Sequence, residues 1–190
     1  IQKNYIINSK EFFMTGFGQK FKDKKEGIKK NINMSIKKII NKAFLLHSEG
    51  NIKEAEKYYR YCIQQKINDY RIFSNYGLIL KNQGKLSEAE ISLRKAIELK
   101  RDSVNAHSNL GNVLRELKKF KEAEISLRKA IELNPNSIIG YANLGNMLKT
   151  IGRIKEAKIF LIKTIEINPE FVRPYYSLSR LKYENSDKKW

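Results

Sequence analysis

The feature that most constrains the fold of this chain is an internal repeat. The string EAEISLRKAIEL occurs twice, at residues 88–99 and 122–133, so the second copy begins at an offset of 34 from the first. The same phase extends in both directions, because one alanine recurs in four successive copies: Ala55, Ala89, Ala123 and Ala157. Since a short repeated unit cannot bury its own apolar faces, we expect the chain to fold by stacking each copy on the next.

Within each copy the apolar residues follow the period of an α-helix, twice. In the third copy they recur at helical spacing from Leu110 to Leu117 and again from Ala123 to Ile131. A short polar turn separates the two stretches, and the other copies have a glycine there: Gly50, Gly84 and Gly152. A glycine at this place suits a left-handed residue that ends a helix. Each copy therefore predicts two antiparallel helices of about a dozen residues. We also expect the hydroxyl of Ser87 to cap the second helix of its copy.

Small residues occupy fixed places where the two helices of a copy are expected to meet. Gly111 faces Ala123 in the third copy, and Gly145 faces Ala157 in the fourth. Without bulky side chains at these places, the two helix backbones approach closely and the larger residues interlock around them.

This 34-residue pattern resembles the tetratricopeptide repeat (TPR) family. The residues that carry the resemblance, each with equivalents at the same place in other copies, are Leu110, Gly111, Leu114, Ala123, Leu127, Ala130 and Pro135. The resemblance implies an all-α fold, a right-handed TPR superhelical solenoid of helix-turn-helix repeats whose first helices line a concave groove. The repeats are also similar to those of O-GlcNAc transferase and of bacterial proteins in which a TPR array precedes a sulfotransferase-like domain.

The phase of the repeat divides the chain into an arm, four repeats and a remnant. The repeats are predicted at residues 36–69, 70–103, 104–137 and 138–171. Residues 1–35 do not fit the pattern, and their lysines and glycines predict a basic, mostly disordered arm. Residues 172–190 are expected to supply the first helix of a fifth repeat, which caps the fourth, and a polar tail. Because that repeat has no second helix, we expect the sequence to be part of a longer protein.

One place in the first helix of every repeat holds an asparagine: Asn41, Asn75, Asn109 and Asn143, with Ser177 at this place in the fifth helix. Asparagine is a poor residue for a helix interior, so its recurrence indicates a role for the amide. An amide has two donors and an acceptor, and can pair with a peptide backbone without reading its side chains. The array of O-GlcNAc transferase is similar here. The resemblance implies a row of asparagines, widened by Asn112 and Asn146, that holds an extended peptide. Two alternatives stay open: the amides bond within their own turn or to the neighbouring helix, or the asparagines follow from a composition rich in Lys, Asn and Ile.

Other residues on the predicted first helices favour an acidic ligand for this groove. We add them to the candidate peptide-binding residues, although most such side chains are solvated: Arg71, Asn105, Arg115 and Lys149. A second TPR binding mode, the carboxylate clamp for the acidic C-termini of heat-shock chaperones, requires a lysine one residue before the asparagine. We expect no such clamp, because the residues at that place are Ile40, Ser74, Ser108, Ala142 and Tyr176.

The net charge of +18 suggests a nucleic-acid partner, but its distribution along the chain argues against one. The arm carries +5, the four repeats +3, +3, +2 and +2, and residues 172–190 carry +3. A nucleic-acid footprint is usually a concentrated patch. Lysine outnumbers arginine by 29 to 9, whereas recognition of phosphate by fork geometry favours arginine. We therefore attribute the charge to background composition, and nucleic acid is an unlikely partner.

No arrangement of residues predicts catalysis. There is no GxxxxGK[ST] phosphate loop. His47 and His107 lie far apart, and Cys62 takes a place filled by buried alanines in other repeats, so we expect no metal site and no cofactor. No apolar run is long enough to span a membrane.

The sequence as a whole predicts a cytoplasmic, non-catalytic interaction scaffold that binds an extended peptide or a partner protein in the concave groove. One alternative is the N-terminal targeting or substrate-presenting arm of a larger, sulfotransferase-like transferase whose catalytic domain lies outside this sequence. A third is a basic helical-repeat protein that binds nucleic acid. The oligomeric state stays open.

Overall fold

The computed structural model describes the backbone of residues 35–186 and the side chains of residues 35–180. The contacts divide the chain into two compact units, Ile1–Tyr58 and Tyr59–Trp190. Almost all of the basic arm predicted at residues 1–35 lies outside the described residues, so its expected disorder stays a prediction. Within the described residues every regular element is an α-helix, which confirms the all-α fold.

The first unit contains helix α1, residues 35–48, and the beginning of helix α2, Ile52–Gln64. Its buried apolar residues follow helical spacing and include the alanine of the repeat: Ile40, Ala43, Leu46 and Ala55. Gly50 lies between the two helices with a φ of 77°, the left-handed conformation that glycine adopts without strain.

The second unit consists of the end of α2 and seven further helices. They are α3 Tyr70–Asn82, α4 Leu86–Leu99, α5 Val104–Glu116, α6 Phe120–Leu133, α7 Ile138–Thr150, α8 Ile154–Ile167 and α9 Val172–Ser186. The helices α3, α5 and α7 each have 13 residues, and α4, α6 and α8 each have 14. These are the first and second helices of successive repeats, as the periodicity predicts. The fifth first helix, α9, packs on α7 and α8.

The two helices of a repeat approach each other through the glycine of the first helix. A Cβ atom added at Gly111 would lie 2.5 Å from Cγ of Leu127 and 3.2 Å from the carbonyl oxygen of Ala123. Equivalent distances at the glycines of α3 and α7 are 2.7 and 2.8 Å to the Cγ atoms of Leu93 and Leu161. The glycine therefore leaves the space that a leucine of the second helix fills, and this leucine is fully buried in all three repeats.

The turn between the two helices of a repeat reverses the chain through one left-handed residue. Gly84 and Gly152 have φ values of 76° and 80°, as the sequence predicts. In the turn after α5 the same place is taken by Lys118, which has a φ of 60°. The amide of Lys119 donates to the carbonyl of Leu114 at 2.8 Å, the bond that closes this type of helix end. The left-handed conformation is thus a property of the turn, whatever residue occupies it.

Side-chain caps lie at the beginnings of α3, α5 and α7, whereas α4, α6 and α8 have none. The carboxylate of Asp69 accepts from the amide of Arg71 at 2.9 Å, and the hydroxyl of Ser137 accepts from the amide of Gly140 at 3.1 Å. The expected cap at Ser87 is wrong. The helix α4 begins at Leu86, so Ser87 lies inside its first turn, and Lys85 at the N-cap makes no side-chain cap bond.

The first helices of the second unit form its inner side. Successive first helices contact one another, and each second helix contacts the first helix that follows it. Within the described residues the backbones of α4, α6 and α8 show no comparable contact with one another. A stack that is held more closely along one side curves toward that side, so α3, α5, α7 and α9 line the inner side of this unit. The right-handedness of the superhelix stays a prediction.

Candidate functional site

The candidate site is the solvent-facing side of α3, α5, α7 and α9, which we call the first-helix surface. Asn41 does not belong to it, because this residue lies on α1 in the other unit, where its side chain is exposed. The remaining predicted residues all lie in the second unit, and the structure places them on these four helices.

The asparagine row of this unit contributes one half-buried side chain from each of α3, α5 and α7: Asn75, Asn109 and Asn143. The amide Nδ2 of Asn75 donates to the Tyr59 hydroxyl at 3.2 Å, and Nδ2 of Asn143 donates to the Ser108 hydroxyl at 3.1 Å. The Asn109 side chain has no hydrogen-bond partner among the described residues. Each contact that is made uses one amide donor, whereas an amide has two donors and an acceptor. The row thus bonds to neighbouring helices and also retains hydrogen-bonding capacity.

A second stripe of amides lies three residues further along the same helices. The hydroxyl of Ser177 donates to Oδ1 of Asn146 at 3.0 Å, which links α9 to α7 across the first-helix surface. The equivalent oxygen in α5, Oδ1 of Asn112, is buried and has no partner among the described residues. An unpaired buried acceptor costs about 1–3 kcal/mol. The side-chain oxygen of this stripe is therefore hydrogen-bonded in the fourth repeat and unpaired among the described residues in the third.

The other predicted residues differ in their surroundings. The guanidinium of Arg71 donates to the carboxylate of Asp69 through Nε at 3.0 Å and Nη2 at 2.6 Å. Partial burial would raise the pKa of Asp69, but hydrogen bonds from Arg71 outweigh it and hold the pKa below its ordinary value. Arg71 thus belongs to a cap at the start of α3. Asn105 is exposed at the beginning of α5.

A row of cations lies at the carboxyl ends of the first helices. Arg115 and Lys149 occupy equivalent places on α5 and α7, three residues beyond the second amide stripe. The third member, Lys81 on α3, was not among the residues predicted from the sequence, although it occupies the same place in the repeat before Arg115. The 34-residue spacing from Arg115 is sufficient to identify Lys81 as a member of this row.

The described residues contain no group of three or more His, Cys, Asp or Glu side chains that could hold a metal ion. The single cysteine, Cys62, is fully buried, and its burial raises the pKa of the thiol. Over the part of the chain that the structure describes, no helix combines the length and apolar character that crossing a membrane requires.

Solved structures share this fold. MamA from Desulfovibrio magneticus RS-1 is 21% identical, with a TM-score of 0.69, over 81% of this chain and 87% of that chain. YrrB, a TPR protein described as having an unusual peptide-binding site, is 22% identical, with a TM-score of 0.64, over 80% and 78%. The first TPR of Spaghetti (RPAP3), bound to an HSP90 peptide, is 21% identical, with a TM-score of 0.59, over 62% and 93%. At these identities the likeness shows the fold alone.

Family models match along most of the repeat region. Models described as tetratricopeptide repeat match residues 39–66, 104–137 and 126–159, and a model described as TPR repeat matches residues 77–117. No curated protein sequence matches the chain. The relations to O-GlcNAc transferase and to sulfotransferase fusions stay predictions. The matches together cover more than half of the sequence, and the match at residues 104–137 coincides with the helix pair α5 and α6. The chain belongs to the tetratricopeptide repeat family.

Proposed function

We propose that this chain is a non-catalytic interaction scaffold that binds an extended peptide, or an extended segment of a partner protein, on the first-helix surface of its second unit. The observation that carries the proposal is the half-buried Asn109 amide, which lacks a hydrogen-bond partner among the described residues. Its neighbours in the row, Asn75 and Asn143, use one donor each. A peptide backbone offers alternating donors and acceptors, which match the groups that these amides leave unpaired.

Two of the similar solved structures support peptide binding as the function. The RPAP3 domain was solved with a bound HSP90 peptide, and YrrB is described as having a peptide-binding site. The same arrangement of helix pairs thus accommodates peptides in other proteins. For this chain we propose that the asparagine row supplies the contacts to the peptide backbone.

The test begins with a selection of peptides from a random displayed library on the intact chain. Binding of a selected peptide is then measured by fluorescence anisotropy for the double variant Asn109→Ala/Asn143→Ala. A lost hydrogen bond removes about 1 kcal/mol, so loss of two weakens binding roughly thirtyfold.

The matched control is Ile91→Ala/Ile125→Ala, which changes two residues, also one repeat apart, on the exposed side of the second helices. We expect this variant to bind like the unmodified chain. Helical circular dichroism verifies that both variants are folded. Unchanged affinity in the folded asparagine variant would contradict the proposal.

A further inference from the structure

Charge is distributed unevenly between the first and the second helices, although it is nearly even from repeat to repeat. The helices α4, α6 and α8 contain eight Lys and Arg residues and eight Glu residues, so they are neutral as a group. The helices α3, α5 and α7 contain four Lys and Arg residues and one carboxylate, that of Glu116. Arg71 is paired with Asp69, so three cations and one carboxylate remain, and these first helices carry a net positive charge that the second helices do not.

Five of the eight cations on α4, α6 and α8 are paired with carboxylates at short distance, as are Lys119 and Arg153 in the turns before α6 and α8; Lys121, Lys155 and Lys158 form no ion pair with a described residue. Glu90 accepts from Arg94 at 3.0 Å and from Lys119 at 2.8 Å, and Arg94 also reaches Glu122 at 2.5 Å. The same network recurs in the next repeat among Glu124, Arg128, Arg153 and Glu156. A third set pairs lysines with glutamates one turn away, at 2.5 to 3.0 Å: Lys95 with Glu98, Lys129 with Glu132 and Lys163 with Glu166.

The cation row of the first helices lacks such partners. Lys81 and Arg115 share the carboxylate of Glu116, at 4.0 and 3.9 Å, distances too long for hydrogen bonds. Lys149 forms no ion pair with any described residue. The side chains of Lys81 and Arg115 are only 24% and 28% exposed, so packing restricts their positions, and their charges are poorly compensated. A charge without a close partner is available to pair with an anion.

We propose that the peptide bound by the first-helix surface is acidic, and that its carboxylates pair with Lys81, Arg115 and Lys149. This inference rests on the proposed peptide-binding function and specifies the class of ligand. Helices in contact lie about 8–10 Å apart. A polyproline II chain rises about 3.1 Å per residue and returns to the same side at every third residue, after about 9 Å. A peptide with an acidic residue at every third position therefore matches one cation per first helix.

The aromatic residues of these helices favour a peptide over a single-stranded nucleic acid. Proteins that bind single strands stack bases on exposed aromatic side chains. Tyr76 packs against the buried core, and the Tyr141 ring lies 6.1 Å from that of Phe160 on α8. The described helix α5 has no Phe, Tyr or Trp. Tyr76 and Tyr141 are thus packed, and the exposed tyrosines of the first-helix surface, Tyr175 and Tyr176, lie on α9, which has no member of the cation row, so within the described residues no continuous stacking surface lies beside that row.

The test measures fluorescence anisotropy of labelled peptides with the intact chain. One peptide repeats Ser-Ala-Asp and a second repeats Ser-Ala-Asn, which has the same length and shape without charge. A third peptide has the composition of the first with its Asp residues adjacent, and oligouridylate serves as the nucleic-acid probe. We expect the Ser-Ala-Asp peptide to bind about tenfold more tightly than the Ser-Ala-Asn peptide, since three exposed ion pairs contribute roughly that factor. We also expect it to bind more tightly than the third peptide and oligouridylate.

Two triple variants separate a specific row from general attraction by net charge. Lys81→Gln/Arg115→Gln/Lys149→Gln removes the cation row and is expected to abolish the preference for Asp. Lys95→Gln/Lys129→Gln/Lys163→Gln removes the same charge at the same repeat spacing from the second helices, and is expected to retain it. Glu116→Gln removes the competing carboxylate, and we expect about twofold tighter binding, a gain that misfolding cannot produce.

The remaining outcomes overturn the inference in distinguishable ways. Equal binding of the Asp and Asn peptides, with dependence on the asparagine row, overturns the acidic ligand but leaves the proposed function standing. Absence of binding by every peptide overturns both. Equal loss of the preference for Asp in the two triple variants would show that net charge, and not the cation row, produces this preference. Equal or tighter binding of oligouridylate, with a steep salt dependence, assigns the surface to nucleic acid. Equal binding of the peptide with adjacent Asp residues overturns the three-residue spacing.

Discussion

Glycine at the contact between the two helices of a repeat shows how a single residue determines the packing of this chain. Helix propensity alone favours alanine over glycine by about 1 kcal/mol. The leucine that fills the space above Gly111 leaves no room for an added methyl group. The sequence predicts this contact correctly, because the small residues recur in phase with the alanines opposite them. Packing therefore outweighs propensity at this residue.

We predict that Gly111→Ala destabilises the chain by about 1–3 kcal/mol, the usual cost of overpacking. The added Cβ would lie 2.5 Å from Leu127 and 3.2 Å from the Ala123 carbonyl oxygen, and backbone cannot move aside cheaply. Urea denaturation followed by circular dichroism measures the change. Asn105→Ala on the exposed side of the same helix is the control and should be neutral or slightly stabilising. A rise in stability of the Gly111 variant would show that propensity dominates.

The second amide stripe gives a prediction of the opposite sign. Oδ1 of Asn112 is buried without a partner among the described residues, whereas the repeat before it has Leu78 at this place. We predict that Asn112→Leu stabilises the chain by about 1 kcal/mol, because it removes an unsatisfied acceptor. Asn146→Leu should destabilise it, since the Asn146 oxygen accepts from Ser177. Thermal unfolding of both variants is the measurement, and equal losses would contradict the distinction between the two amides.

Hydrogen-bond partners are the part of the site that the sequence could not predict. The recurrence of asparagine identifies the row, but only coordinates show that Asn75 reaches Tyr59 and Asn143 reaches Ser108. Both partners come from other helices, and an offset in sequence does not fix such distances. The missed caps are a different case. Asp69 and Ser137 immediately precede α3 and α7, and an Asp or Ser at this place is a recognisable sequence signal for a helix cap. The cap predicted at Ser87 did not use this signal.

At the scale of helices, the backbone conformation of the turn after each first helix varies less than the residue type found there. Three turns have glycine with φ between 76° and 80°, and the turn after α5 adopts a similar conformation at Lys118. A left-handed conformation costs a residue other than glycine about 1–2 kcal/mol. The periodicity predicts both helices of each repeat and their turn, because stacking requires the same reversal in every copy.

We predict that Lys118→Gly stabilises the chain by about 1 kcal/mol, since relief of the left-handed strain exceeds the added freedom of the unfolded chain. The reverse substitution, Gly84→Lys, is the matched control and should destabilise by a similar amount. No atom lies within 4 Å of a Cβ added at Gly84, so strain and not a clash is measured. Equilibrium denaturation in urea compares the two, and a loss of stability in the Lys118 variant would be inconsistent with a strained turn.

At the scale of the whole molecule, electrostatics couples one repeat to the next. Partial burial would raise the pKa values of Glu90 and Glu124, but hydrogen bonds from two cations to each carboxylate outweigh it and hold both pKa values below the ordinary range. The net charge of each repeat does not show this arrangement, because one cation for each carboxylate, Lys119 or Arg153, comes from the following repeat. The nearly even charge from repeat to repeat thus conceals second helices that are neutral as a group and mostly ion-paired, and first helices that carry net positive charge.

We predict that stability falls as the pH is lowered through the ordinary glutamate range, near about 4.3. A carboxylate whose pKa is depressed by folding contributes stability above its unfolded pKa, and this contribution is lost as pH falls toward the folded pKa. Glu90→Gln/Glu124→Gln should therefore lower Tm at neutral pH and have little effect at about pH 3. Thermal unfolding of the variant and of the unmodified chain across this pH range tests the prediction. A difference in Tm between the two that does not change with pH would contradict the role of ionisation.

The asparagine row of the second unit, which we propose holds a peptide backbone, can be observed directly during binding. The measurement is the NMR signal of the side-chain amides in chain labelled with ¹⁵N at asparagine, recorded during titration with a peptide selected for binding. We predict large shifts for the amides of Asn109 and Asn143 and little change for Asn134 and Asn136, which lie in the turn between α6 and α7. Saturable binding that leaves the Asn109 and Asn143 signals in place would contradict the proposed role of the row.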